Sequence, residues 1–194
     1  MQIALRDLEI RGAGNLLGAE QHGHIATVGF EMYVRLLAEA VDEAKGRKTE
    51  PKPEVKVDLP IDAHLPESWI PKEGLRLEAY RRIAEAPSLE AISDARAELT
   101  DRFGPLPPQA ESLLTVAALR LVIGSRGVKT VTTGNRQVRI EPFVLADSEQ
   151  VRVRRMHPGS IFKPQTYTLI LPIPRDVEDV AAWLLDSCRD ILSP

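Results

Sequence analysis

At 194 residues the chain has room for one ordinary domain of roughly 100 to 150 residues plus an appendage, and is short for two full domains. Hydrophobic residues at 43% and charged residues at 27% exclude a disordered polymer. No apolar run approaches the ~18 residues that span a bilayer, and no signal peptide opens the chain, so a cytoplasmic protein without a membrane partner is expected. A formal net charge of -3 gives no general attraction to phosphate backbones, and a single cysteine, Cys188, excludes an internal disulfide and a Cys-rich zinc site.

In chain order, Ile3 to Gly29 is irregular and glycine-rich, and Phe30, Tyr33, Leu37, Val41 and Ala44 then mark one apolar helical face. Lys45 to Pro53 is charged and carries two prolines, the composition of a solvated linker. The chain therefore divides into a segment at residues 1–45, a linker at 46–53 and a domain at 54–194. Val55, Val57, Leu59 and Ile61 alternate with polar residues or proline, which predicts an edge strand ending at Pro60.

From Leu75 to about Ser125 the period is helical. A first helix carries Leu77, Tyr80 and Ile83. A second, capped by Ser88, carries Leu89, Ile92, Leu99 and Phe103, and a third runs from the prolines near 107 to Gly124. Val128 to Thr133 and Arg136 to Ile140 flank Gly134-Asn135, which predicts a β-hairpin. Val151 to Arg155 and Thr166 to Ile173 read as two more strands separated by Pro158-Gly159-Ser160. Asp176 then caps an amphipathic helix carrying Val177, Val180, Leu184, Cys188 and Ile191. This order is α+β: a small domain of helices packed on a mostly antiparallel sheet, preceded by a helical and irregular segment.

Site motifs mostly fail. In Gly12-Ala13-Gly14-Asn15-Leu16-Leu17-Gly18 the third glycine falls one residue late for a dinucleotide loop. In Gly124 to Thr130, Val128 and Ile123 stand where a phosphate-binding loop needs glycine. His22 and His24 have no acidic or sulfur ligand at a zinc spacing, so no metal site is expected, and no serine or cysteine sits in a nucleophile motif. No catalytic residue is assigned. Arg152, Arg154 and Arg155 form the densest basic cluster, and on a strand Arg152 and Arg154 would share a face. They are the candidate nucleic-acid contact, against the alternative of a charged strand that resists aggregation.

Arg6 to Gly18, followed by Glu20-Gln21-His22-Gly23, closely resembles the translocation motif shared by RecG and the transcription-repair coupling factors (Mfd). Arg76-Leu77, Tyr80 to Ala84 and Glu98 to Pro107 resemble the C-terminal domain that only the coupling factors carry. The resemblance implies a fragment of a DNA translocase of helicase superfamily 2, with Arg11 and Gln21 as the functional residues of the motif. It implies a regulatory domain that packs on the UvrB-like N-terminal module of its own protein and covers the surface that recruits UvrA, with Glu98, Asp101 and Arg102 at that charged contact. RNA polymerase and double-stranded DNA are the implied partners of the whole protein. ATP and magnesium belong to its motor, and no cofactor is expected here. The motor lobes that precede the motif in that family are not expected in this chain, so residues 1–29 are expected to lack the surface they normally pack on, and self-association of the fragment is a corresponding expectation.

Overall fold

The computed structural model describes residues 55–193. The readings made for earlier positions, including Arg11, Gln21, His22, His24 and the linker at 46–53, lie outside the described residues. The described elements are β1 (Lys56–Asp58), α1 (Glu73–Ala84), α2 (Leu89–Phe103), α3 (Pro108–Gly124), β2 (Thr130–Gly134), β3 (Gln137–Glu141), α4 (Asp147–Met156), β4 (Ile161–Lys163), β5 (Thr168–Pro172) and α5 (Val180–Leu192).

The strands form one sheet in the order β1-β2-β3-β5-β4. β1 runs parallel to β2, and the remaining pairings are antiparallel. Period-two side chains make the sheet one-sided: Val57, Val131, Ile140, Leu169 and Phe162 are successive register partners across all five strands. Val138 and Leu171 form a second pair on the same side. All of these are fully buried except Phe162, which packs against the core from a partly buried position. On the other side Asp58, Thr132, Arg139 and Ile170 follow one another with none buried.

The helices supply the second layer, as the α+β order predicts. α3 is apolar nearly all round and buries Ala110, Leu113, Leu114, Val116, Ala118, Leu119 and Ile123, which makes it the central helix. α2 and α5 pack on it, α1 packs on α2 and also touches α3, and α4 packs on α5. At the end of α3 a Cβ on Gly124 would stand 3.3 Å from Val55 Cγ2, so the helix approaches the start of β1 closely. α2 begins as its sequence predicts, with Ser88 Oγ accepting from Ala91 N at 3.2 Å. It stops at Gly104, whose φ of 85° few other residues would adopt.

The structure corrects several readings. Val151 to Arg155 is not a strand but half of α4, in which only Glu149 and Val153 are buried. The short V-R-V-R alternation fits period two by coincidence. Asp147 and Glu149 in the first turn and Arg154 and Arg155 in the last complement the helix dipole, and Glu149 Oε2 accepts from Ala146 N at 2.8 Å to cap the start. The strand that precedes β5 and pairs with its outer edge is β4, on the far side of Pro158-Gly159. The hairpin turn falls on Asn135 and Arg136, with φ of 50° and 56°, one residue later than expected. This moves the register by two, so the same side chains still face the core. Arg136 fixes the choice, with its guanidinium donating to Pro174 O at 2.7 Å and its carbonyl accepting from Ile173 N at 2.9 Å. The last helix is capped by Asp179 Oδ1, which accepts from Ala182 N at 2.9 Å, and not by Asp176. Val177 N is already turned back onto Pro174 O, so a helix does not start there.

Candidate interdomain interface

α1 and α2 form a helical hairpin closed by Ala86-Pro87-Ser88. It is anchored beneath the chain that leaves β1: Leu65 N donates to the Tyr80 hydroxyl at 2.7 Å, and Arg76 Nη1 donates to Ile70 O at 2.8 Å. Burial pushes the Tyr80 hydroxyl above its ordinary pKa, which keeps it a neutral hydrogen-bonding group. α2 turns Ile92, Ala95 and Leu99 inward; Asp101 lies on the outer side, Arg102 is exposed at the end of the helix beside the inner face, and Glu98 is half-buried.

The structure brings Glu98 and Arg102 together and adds a residue that the sequence reading missed. Arg102 Nη1 lies 3.0 Å from Glu98 Oε1, a pair one turn apart. The other carboxylate oxygen, Oε2, is 2.5 Å from Nη1 of Arg82, which reaches across from α1. Glu78, one turn before Arg82, stands 3.9 Å from Arg102. The Arg102 guanidinium also lies 5.2 Å from the centroid of the Phe103 ring, and Phe103 meets Trp69 edge-on at 5.8 Å. Glu98 retains 29% side-chain exposure, against 52% for Arg82 and 40% for Arg102, so the network lies at the surface with its carboxylate innermost. Asp101 is exposed and takes no part in the network. Glu78 and Arg82 share a face of α1 at a spacing of four, the one sequence signal that pointed to them.

The second basic cluster has a different fate. Arg152 lies on α4 and donates through Nη1 to the carbonyls of Ile191 at 3.0 Å, Asp190 at 3.4 Å, and Ser193. These are orphan acceptors at the C-terminal end of α5, so Arg152 caps that helix from outside. Arg154 and Arg155 are exposed on other sides of α4, and the shared strand face proposed for Arg152 and Arg154 does not exist. Nearby, Arg126 Nη2 pairs with the largely buried Glu149 at 2.7 Å. Cys188 is buried in α5, where burial pushes its thiol up to about 12, the state of a packing side chain.

The segment from Gly124 to Thr130 does not fit a nucleotide phosphate. The amides of Arg126, Gly127, Val128 and Lys129 donate to Ile123, Gly124, Ile123 and Glu141 carbonyls respectively, so none of the four is left to cradle one. Among the described residues no three His, Cys, Asp or Glu side chains converge as metal ligands, and no helix is long and apolar enough to cross a membrane.

The described domain is a two-layer α+β unit with a charged, surface-exposed seam between its first two helices, and comparison with known proteins places it in a family. Residues 59–153 match the family model described as TRCF domain. The chain is 46% identical over 187 residues to the transcription-repair-coupling factor of Mycobacterium bovis, an alignment covering 90% of this chain and 15% of that protein. It is 40% identical over 148 residues to the same factor of Staphylococcus aureus strain USA300, covering 75% of this chain and 13% of that one. A solved structure described as the C-terminal domain of a transcription-repair coupling factor shares the fold with a TM-score of 0.59 at 20% identity, covering 72% of this chain and 92% of that one. The chain belongs to the transcription-repair coupling factor family and spans about 15% of the length of the M. bovis relative.

Proposed function

We propose that this chain is a non-catalytic regulatory part of a transcription-repair coupling factor, and that its ligand is another domain of the same polypeptide. In this reading the whole protein is an ATP-dependent translocase on double-stranded DNA that displaces stalled RNA polymerase and recruits excision repair through UvrA. The domain packs on the UvrB-like N-terminal module and masks its recruiting surface until the motor engages polymerase. ATP and magnesium would act at the motor, away from the residues described here.

The observation that supports this reading best is the ion-pair network of Arg82, Glu98 and Arg102 at the surface of a firmly anchored helical hairpin, at the position where the family resemblance puts an interdomain contact. Exposed ion pairs contribute little to folding, about 0–1 kcal/mol, so such a network is available for recognition. A tether supplies an effective concentration in the millimolar range, so a dissociation constant of about 100 μM suffices for a working clasp. Titrating this chain against the isolated N-terminal module of its parent protein tests the reading. Saturable binding that disappears in the variant carrying Glu98→Lys and Asp101→Lys is expected. An absence of binding up to millimolar concentration would sink the clasp.

A further inference from the structure

We infer that Arg82 is an internal competitor at this interface: it holds Glu98 while the domain is undocked and releases it to a basic partner surface, so that its charge limits the strength of docking. The inference rests on the reading of the α1–α2 seam as an interdomain contact, and adds to it a regulating residue and the charge of the partner.

Both Glu98 oxygens are already engaged by guanidinium groups. Its Oε1 faces Arg102 at 3.0 Å and its Oε2 faces Arg82 at 2.5 Å. A cation arriving from outside therefore competes with two guanidinium groups for the same carboxylate. Arg102 is the harder to move, because it sits one turn away on the same helix, lies 5.2 Å from the Phe103 ring centroid and approaches Glu78 at 3.9 Å. Arg82 comes from the other helix, is 52% exposed, and has Glu98 as its one ion-pair partner among the described residues. It can swing into water by rotating its own side chain, with no movement of the backbone.

The sign of the partner follows from the rest of α2. Glu90, Asp94 and Asp101 project from its outer side at spacings of four and seven, all are exposed, and none forms an ion pair among the described residues. Arg96, the other cation of this helix, is already paired with Glu111. The outer side of α2 therefore carries unneutralised negative charge, and a protein surface presenting lysine or arginine complements it. When such a surface docks, one exposed guanidinium–carboxylate pair is exchanged for another. The exchange is nearly balanced, and Arg82 is left as a like charge beside the incoming cations.

Calorimetric titration of the 194-residue chain against the isolated N-terminal module of its parent tests this, with wild type, Arg82→Gln, Glu98→Gln and the double variant measured side by side. Arg82→Gln should bind about threefold more tightly at low ionic strength, and the gain should shrink as salt rises. In the Glu98→Gln background the same change should have a clearly smaller effect, because only the like-charge repulsion remains to be removed. Weaker or unchanged binding of Arg82→Gln, with wild type binding normally, overturns the competitor role and leaves the interface standing. An equal gain in both backgrounds also overturns it, because the effect would then be a general loss of positive charge and not an exchange at Glu98. Failure of wild type itself to bind removes the interface and the inference together. Thermal unfolding of each variant, expected to differ little, separates these outcomes from misfolding.

Discussion

Arg102 and Arg152 are both arginines on amphipathic helices of one small domain, and both are bound to oxygen acceptors, yet they serve different ends. Arg152 reaches across the α4–α5 contact to main-chain carbonyls at the C-terminal end of a helix, groups that have no partner within the helix itself. Arg102 and Arg82 reach a carboxylate that would be content in water. Charged donors that satisfy backbone orphans, or a buried acid such as Glu149, hold the fold together. Charged donors that satisfy exposed acids leave the fold indifferent and the surface patterned. The α4–α5 end is built in the first way and the α1–α2 end in the second.

The largest effect expected from breaking this contrast is at Glu149. Its carboxylate is largely buried, caps α4 through Ala146 N and pairs with Arg126, so Glu149→Ala removes a cap and leaves Arg126 unpaired. A loss of about 2–3 kcal/mol is expected in urea unfolding, the sum of a cap and a largely desolvated pair. Arg152→Ala comes next. It uncaps α5 but leaves those carbonyls near the surface, where water replaces part of what is lost, so about 1–2 kcal/mol is expected, with early fraying of α5 seen by amide exchange. Equal stability of Arg152→Ala and wild type would show the clamp to be incidental.

Much of this domain was legible in the sequence, and the failures share a cause. α2 and α3 were readable because their signals are local: Ser88 at a cap, prolines in a first turn, and a glycine where the chain must adopt positive φ. The inner face of the sheet was readable from period two. α4 was not, because five residues of alternating valine and arginine satisfy a strand and a helix alike. What decides is Glu149, engaged with an arginine 23 positions earlier. Asp176 and Asp179 are equally good caps in sequence, and only the turn of Val177 onto Pro174 separates them. The candidate interface shows the same division. Glu98, Asp101 and Arg102 were visible on one helix, whereas Arg82 enters only once two helices are folded side by side.

A smaller effect is expected from pH at the α4–α5 end. His157 sits edge-on to Trp183 at 6.0 Å, and its Nε2 is buried without a hydrogen-bond partner among the described residues. Burial holds its pKa below the ordinary 6.5, with the Asp190 carboxylate opposing the shift. A histidine whose pKa is depressed by folding binds its proton more readily when unfolded. The stability it contributes is therefore present above 6.5 and is lost as pH falls through that value toward the lower folded pKa. Unfolding midpoints in urea should decline between about pH 7.5 and 5.5, and His157→Gln should flatten the decline. An identical slope in the variant would assign the decline to other groups.

The smallest change in stability is expected at the α1–α2 end. Replacing Glu98 and Arg102 together, as Glu98→Gln with Arg102→Gln, removes both charges and leaves Arg82 unpaired, on a side chain that is 52% exposed to water. Measurements on exposed pairs put such a loss at about 0–1 kcal/mol. The variant should therefore unfold within a few degrees of wild type and show the same amide-exchange protection in α2. If it instead lost as much stability as Glu149→Ala, the network would be a strut like the one at the other end, and its place at the surface would say nothing about a partner. Near-native stability combined with loss of association with the N-terminal module would separate the two ends of the domain by function: one set of charges fixes how α4 and α5 sit, and the other can be altered, exchanged or masked while the domain stays folded.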